Sequence, residues 1–570
     1  MTTFTIEPGP VADAYHTACQ HLDAEGVADS LWRGSLHMWL EDAEARTVIA
    51  NRLGWLRALD AVEPELVRLR SFADGVRRDG YERVLLMGMG GSSLAPEVLC
   101  RVLGITRGFP RFVMTDTVNP DAVRARFAES ARTLFVIASK SGTTVEPAAL
   151  AAYAKHVAAP PGSWGTNVVA ITDPDTDLHL QARKEGFRDA FINPPDIGGR
   201  YSALSLFGMV PAALMGADLD ALVAAGRRMT AECQRPDVAG NPGLALGAFM
   251  AASAGAGRDK LTLLVPAAFE SFGLWVEQLV AESTGKTGKG VVPIVSESAD
   301  APYGADRCFV VVSFCGEGPA PELVRRARAT GAPVATIDVL TPTELAAEFM
   351  RWEVATAIAG RLLKVNPFDE PDVTLAKEAT RTALEAYERD GVLPIPAATA
   401  VLSDARLTLG DTLVGAADPW AAAVASMRPG DYVAVLGYAP PEDVPFGAAL
   451  DRLRARLGAA GAVAATGGYG PRYLHSTGQL HKGGPNTGVF VIVSADPDAD
   501  LDIPGEGRRT FGILEAAQAL GDFKTLKELK EVNHNGGPRR VVSIHLPRRD
   551  PALLDEITDA LTTSPGRRAP

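Results

Sequence analysis

Positions 31, 32, 35, 38 and 39 (Leu31, Trp32, Ser35, Met38, Trp39) fall three and four apart, the period of one helix face, and this spacing predicts helices from residue 11 to 79. From about residue 82 the pattern changes. Short apolar runs, "RVLLMG", "RFVMTD", "TLFVIAS" and "NVVAITD", alternate with helical stretches such as "DAVRARFAES" and "EPAALAAYAKHV". A second cycle starts near 260 with "KLTLLVP", "ESFGLWVEQLVAEST", "VVPIVSE", "CFVVVSF" and "PVATIDV", and closes on a long helix around "TELAAEFMRWEVATAIAGRLL". The stretch from 392 to 410 has no helical period and reads as a boundary. Beyond it come "DYVAVLGYA", a helix over 446–458, "GAVAAT", "GVFVIVS", a helix over 511–530 and "RRVVSIHL". Strands alternating with helices call for mostly parallel sheets, with sites at the carboxyl ends of the strands. The tail "TTSPGRRAP" is expected to fray.

At 570 residues the chain exceeds what one core organises, so two or three domains are expected. Hydrophobic residues at 46% and charged residues at 22% fit a globular protein. The net charge of −13 argues against nucleic-acid binding, which needs a positive surface, but leaves a small anionic substrate open. Cys19, Cys100, Cys233, Cys308 and Cys315 are scattered and form no CxxC pair, so neither a disulfide framework nor a zinc site is expected. A reducing cytoplasm follows. The opening "MTTFTIEPGPVADAYHT" lacks the basic and apolar blocks of a signal peptide. The stretch "SALSLFGMVPAALMGA" carries Pro211 and is shorter than the roughly 20 apolar residues a membrane helix needs. No membrane partner is expected.

The chemistry concentrates first in "RVLLMGMGGSSLAPEVL", where a strand runs into a glycine turn and then a helix start. A dinucleotide fingerprint needs a third glycine, and this chain has Ser93 there. "AESTGKTGKG" contains Gly-Lys-Thr at 285–287, but the position of the first P-loop glycine, just ahead of it, is Val280, so no triphosphate loop forms. A monophosphate remains. The loop "ASKSGTTVEP" supports it, setting Ser139, Ser141, Thr143 and Thr144 beside helix-terminal N–H groups. Such hydroxyls also serve simply as helix caps, but two such loops in one sheet favour an anion site.

The motifs "GMGGSSLAP", "SKSGTT", "GGRYSALS", "AESTGK" and "NPFDEPDVTLAK" occur in the order found in glucose-6-phosphate isomerases, which this chain resembles over roughly residues 80 to 380. "AESTGK" with the late "RYLHSTGQLHKGGPNTG" is most similar to the isomerase portion of fused transaldolase–phosphoglucose isomerase proteins, without the transaldolase portion. The resemblance implies an α/β protein with two sugar-isomerase type parallel-sheet domains. A helical N-terminal region would span 1–79, the first such domain 80–225 and the second, with its closing helices, 240–392. An α/β C-terminal extension over 393–570 would contribute a histidine loop. It also implies interconversion of glucose 6-phosphate and fructose 6-phosphate through a cis-enediol, no cofactor or metal, and a homodimer.

By resemblance, Gly91, Ser92, Ser139, Ser141 and Thr144 hold the substrate phosphate. Glu282 moves the proton between C2 and C1. Its place near a helix end, on a face with Trp275, Leu279 and Val280, favours a carboxyl able to work near neutral pH. Arg200 stabilises the enediolate, and Lys377 assists at the ring oxygen. One departure is Glu370, where the family usually has glutamine. A second concerns the ring-opening histidine, which in common relatives lies between the glutamate and the lysine. Here no histidine occurs between His179 and His475. His475 has Gln479 and Leu480 at the family spacing and is the expected ring opener, with His481 second. Rival readings are a non-catalytic sugar-phosphate sensor, an NAD-dependent oxidoreductase and an isomerase that also takes mannose 6-phosphate.

Overall fold

The computed structural model describes residues 3–40, 42–157, 164–529 and 537–563. The tail from residue 564 lies outside the described residues, so its expected fraying has no counterpart here. The described chain forms two compact units. The first takes the chain up to Asp116, with Phe127–Thr284 and Cys308–Asp369; the second takes Thr117–Arg126, Gly285–Arg307 and the chain from Glu370 onward.

In the first unit, one sheet is wholly parallel, in the order Arg111–Thr115, Arg83–Gly88, Thr133–Ala138, Val168–Thr172, Asp189–Ile192. Arg83–Gly88 and Thr133–Ala138 are buried at every position. Helices on both faces explain why these strands read as continuous apolar runs. The edge strand Asp189–Ile192 escaped the sequence reading, being four residues long with one fully buried position. The second sheet places Phe4–Glu7, Val334–Val339, Arg307–Phe314 and Lys260–Leu264 in that order.

Phe4–Glu7, a strand ahead of the stretch read as helical, was not expected from the sequence. It pairs antiparallel with Val334–Val339, Phe4 opposite Ile337 and Glu7 opposite Val334. Its residues alternate between half-buried and exposed, the period of an edge strand. After it the region is helical as read. Leu66–Arg78, for example, buries Leu66, Leu69, Ala73 and Val76 along one stripe.

The second unit holds a six-stranded sheet in the order Ala400–Leu402, Ala405–Leu409, Arg540–Leu546, Gly488–Ala495, Tyr432–Tyr438, Ala464–Tyr469. The last four strands are parallel. The first two form a hairpin inside the stretch read as a boundary. Ala405, Leu407 and Leu409 are buried at alternate positions, so the missing helical period there was a strand period. Val444–Gly461 and Phe511–Glu528 answer the two helices expected in this region. Among the described residues no helix is long and apolar enough to cross a membrane.

Candidate active site

The glycine turn follows the strand Arg83–Gly88 and opens the helix Gly91–Leu103. Gly90 has φ +58° and ψ −127°, a conformation that a side chain opposes. Gly91 serves a different need. A Cβ there would lie 1.9 Å from the carbonyl oxygen of Gly199, so only glycine lets the helix start approach the backbone that carries Arg200. Ser92 is buried behind the turn.

Gly88 lies opposite Ala138 in the parallel register, so the glycine turn and the serine–threonine loop leave adjacent strand ends. In that loop Ser139, directly after its strand, donates to the hydroxyl of Thr144, which lies just before the helix Val145–Val157, at 3.2 Å. Ser141 is exposed, its hydroxyl 3.0 Å from that of Thr143 and accepting the Thr143 N–H at 3.3 Å. Lys140, within the same motif, turns away to pair with Asp173 and to donate to the Pro195 carbonyl at 2.8 Å. Burial raises the Asp173 carboxyl above its ordinary value, with Lys140 acting against that. Lys140 thus ties the loop to the neighbouring strand end.

Arg200 sits in the short turn Gly199–Tyr201 with 4% of its side chain exposed. Its guanidinium is held on every side. Nε donates to the Ser283 hydroxyl at 2.8 Å, and one terminal nitrogen donates to the carbonyls of Pro367 and Asp369, each at 2.8 Å. The other terminal nitrogen faces Glu282 at 3.2 Å. Tyr201 donates to the same Ser283 hydroxyl at 3.2 Å, and burial holds its phenol protonated well above the ordinary range. Glu282 lies in the last turn of Glu270–Thr284, its side chain 13% exposed, with the Gln278 amide donating to its second oxygen at 3.3 Å. The expected apolar surrounding of Glu282 is therefore only part of its environment, because a fixed guanidinium stands against it.

The carbonyls on Arg200 explain the motif "NPFDEPDVTLAK" in part. Asn366 accepts the Phe368 N–H at 3.0 Å and donates to the Asp369 carboxylate at 3.0 Å, folding the chain so that Pro367 and Asp369 present their oxygens. Ser283, Tyr201 and these carbonyls were not singled out from the sequence. Ser283, Pro367 and Asp369 lie within the quoted motifs, but their contacts depend on long-range folding.

Lys377 and His475 belong to the second unit. Lys377 is exposed on the second turn of Val373–Asp390. His475 ends the turn Arg472–His475 and is half-buried. Gln479 joins the two segments. Its oxygen accepts the Asp372 N–H at 2.9 Å, and its amide donates to the Asp372 carboxylate at 2.6 Å and to the Gly285 carbonyl at 3.0 Å. Gln479 thereby fixes the histidine loop against Asp372, the N-cap residue of the lysine helix. The same loop is tied underneath by Lys482, buried 2.5 Å from Asp522, whose other oxygen accepts from Tyr473 at 2.7 Å.

His481 differs sharply from His475. It is 2% exposed, beside the rings of Phe490, Tyr473 and Tyr432, and among the described residues neither ring nitrogen has a hydrogen-bond partner. Burial, with Lys482 and Arg539 adding to it, drives its pKa well below the ordinary value, so it is a neutral core residue. Among the described residues no cluster of three or more His, Cys, Asp or Glu side chains could hold a metal.

The sequence profile of phosphoglucose isomerase matches residues 32–304, which take in the glycine turn, the serine–threonine loop, Arg200 and Glu282. The chain is 27% identical over 455 residues to the glucose-6-phosphate isomerase of Synechococcus sp. (strain CC9605), covering 70% of this chain and 84% of that relative. It is 30% identical over 395 residues to the glucose-6-phosphate isomerase of Rubrobacter xylanophilus, covering 59% of this chain and 90% of that relative. The chain belongs to the glucose-6-phosphate isomerase family. The crystal structure of a glucose-6-phosphate isomerase from Chlamydia trachomatis superimposes with a TM-score of 0.57 at 18% identity, covering 69% of this chain and 89% of the other. A hypothetical protein from Thermus thermophilus gives 0.56 at 24%, covering 67% of this chain and all of the other. At these identities the likeness is one of fold, and it agrees with the parallel-sheet cores described above.

Proposed function

We propose that this chain interconverts glucose 6-phosphate and fructose 6-phosphate by moving one proton between C2 and C1 through a cis-enediol. The observation that carries this reading is the Arg200–Glu282 pair, at 3.2 Å, built on backbone that touches the glycine turn at Gly91. Glu282 takes the C2 proton. Arg200, already desolvated and fixed by three other acceptors, stabilises the charge that develops on the enediolate oxygen without reorganising. Gly91, Ser92, Ser139, Ser141 and Thr144 receive the phosphate through hydroxyls and helix-terminal N–H groups. Lys377 assists at the ring oxygen and His475 opens the ring, both assigned by their motifs. The proton transfer itself requires neither metal nor redox cofactor.

In this reading the sugar-isomerase domains span 80–225 and 240–392, and the 393–570 extension supplies the histidine loop. The enzyme works as a cytoplasmic homodimer, which light scattering on the eluted protein would test. The decisive experiment is an isomerisation assay on the purified full chain with glucose 6-phosphate or mannose 6-phosphate, without added metal or nucleotide. Turnover of glucose 6-phosphate supports the proposal, and its absence with folded protein overturns it.

A further inference from the structure

The carboxyl ends of the second unit's parallel strands open into a cavity of about 1100 Å³. None of the residues assigned above to phosphate or proton chemistry lines it. From Tyr432–Tyr438 the chain crosses to Ala464–Tyr469 on one side, whereas from Gly488–Ala495 it crosses to Arg540–Leu546 on the other. Tyr432–Tyr438 and Gly488–Ala495 are neighbours, so strand order reverses between them. Open α/β sheets bind ligands in the crevice at such a reversal. Tyr438 and Ser494, paired across it in register, both line the cavity.

The two sides of the cavity differ in chemistry. One is apolar, formed by Val392, Leu393, Ile395 and Pro396 with Ile513 and Leu520 from Phe511–Glu528. Val392 and Ile395 remain 67% and 68% exposed, an apolar wall with little packed on it. The strands Gly488–Ala495 and Arg540–Leu546 bring oxygen acceptors and hydroxyls, Ser494, Ser543 and the following Asp496, and Glu515 of Phe511–Glu528 adds a carboxyl. The Ser494 hydroxyl lies 3.1 Å from His545 Nδ1, and Asp496 lies 3.5 Å from His545 Nε2, which fixes both at the mouth of the crevice. Asp498 and Asp500 also line it, and among the described residues Arg406 is the sole arginine and there is no lysine, so the described lining is predominantly acidic. A phosphate would meet repulsion there, whereas hydroxyl donors would find acceptors. Strand-end carboxylates hold ribose hydroxyls in this way in dinucleotide-binding sheets.

We propose that this cavity is a second ligand site that binds an uncharged nucleoside. The base lies along the Val392–Pro396 side, and the ribose hydroxyls donate to Asp496, Ser494 and Glu515. The volume exceeds what a hexose needs, and the apolar wall gives a surface for a base to pack on.

Isothermal titration of the full chain with adenosine, AMP and glucose 6-phosphate tests this. Adenosine should bind with a Kd below about 1 mM, and AMP at least about fivefold more weakly. Glucose 6-phosphate should not displace adenosine. Ala516→Trp, which fills the cavity from an exposed helix position, should abolish adenosine binding with an unchanged melting temperature. Asp496→Asn, a smaller change, should weaken it by about threefold or more. Failure of adenosine to bind at about 5 mM overturns the proposal, as does tighter binding of AMP or displacement by glucose 6-phosphate. Binding unaffected by both variants overturns it too. The titration reads binding alone, so its outcome does not depend on whether the chain has isomerase activity.

Discussion

Gly91 stands against the carbonyl of Gly199 so closely that a Cβ at position 91 would lie 1.9 Å from that oxygen. The contact is backbone on backbone, so it has no flexible end to move aside. Gly91→Ala should therefore push the Gly199–Tyr201 turn away and shift Arg200 from Glu282. Overpacking of this kind costs about 1–3 kcal/mol. The expected result is a lower melting temperature and a lower kcat. Unchanged melting and turnover would mean that the turn yields freely and does not position Arg200.

The Arg200–Glu282 pair gives a second test. Glu282→Gln keeps the shape and a hydrogen-bonding side chain but removes the base, while Ser283, Pro367 and Asp369 still hold the guanidinium. Isomerisation should fall by about 100-fold or more, with sugar-phosphate binding by calorimetry nearly intact. A variant retaining more than about a tenth of the activity would show that another group carries the proton.

Ser141 and Thr144 belong to the end of the substrate that does not react. Phosphate contacts there strengthen ground and transition states alike, so Ser141→Ala or Thr144→Ala should raise KM with little change in kcat. Steady-state kinetics on each variant reads this directly. A fall in kcat at unchanged KM would move the loop to the reacting end.

Glu515 makes stability depend on pH in the second unit. Burial pushes its pKa from the ordinary 4.5 up to about 8, against the Asn119 amide, which donates to both oxygens at 3.2 and 2.9 Å. The folded state then holds a proton that the unfolded state has released, so stability falls as pH rises from about 4.5 to about 8 and levels off above. Glu515→Gln can keep an acceptor for Asn119 and removes the ionisation. Its melting temperature relative to the unchanged protein should rise between about pH 5 and pH 8 and level off above. A gap that stays constant with pH would show that Glu515 does not titrate in this window.

Much of this arrangement could be read from the sequence, and the remainder depends on contacts that a linear pattern does not encode. The strands Arg83–Gly88 and Thr133–Ala138 announced themselves because burial on both faces demands unbroken apolar runs. Phe4–Glu7 and the hairpin of Ala400–Leu402 with Ala405–Leu409 did not, because each strand is only three to five residues long and lies at or next to a sheet edge. Arg200 and Glu282 stood out in their motifs, but the 81 residues between them hid their pairing. Gly91 was read as a phosphate contact, and its close approach to Gly199 adds a packing reason for glycine that no local pattern carries. Gln479 was noticed only as spacing after His475, whereas its side chain fastens that loop to Asp372 and Gly285.

The two histidines of the late loop separate the ring-opening role from a structural one. His481 is enclosed by Tyr432, Tyr473 and Phe490, with neither ring nitrogen hydrogen-bonded among the described residues. Burial keeps it neutral, and a relay group that cannot take up a proton near pH 7 cannot open a sugar ring. Replacing a buried polar group that has no partner by an apolar side chain of similar size is close to neutral or stabilising. His481→Leu should therefore keep fold and turnover within about twofold. His475, half-buried at the end of its turn, should behave oppositely. His475→Ala should lose turnover of the cyclic sugar by about 10-fold or more while retaining much of its action on an open-chain analogue, because only the cyclic form needs the ring-opening proton. Should His481→Leu lose ring opening instead, with His475→Ala active, the assignment of the two residues reverses. If both variants turn over the cyclic sugar normally, ring opening passes to Lys377 with water.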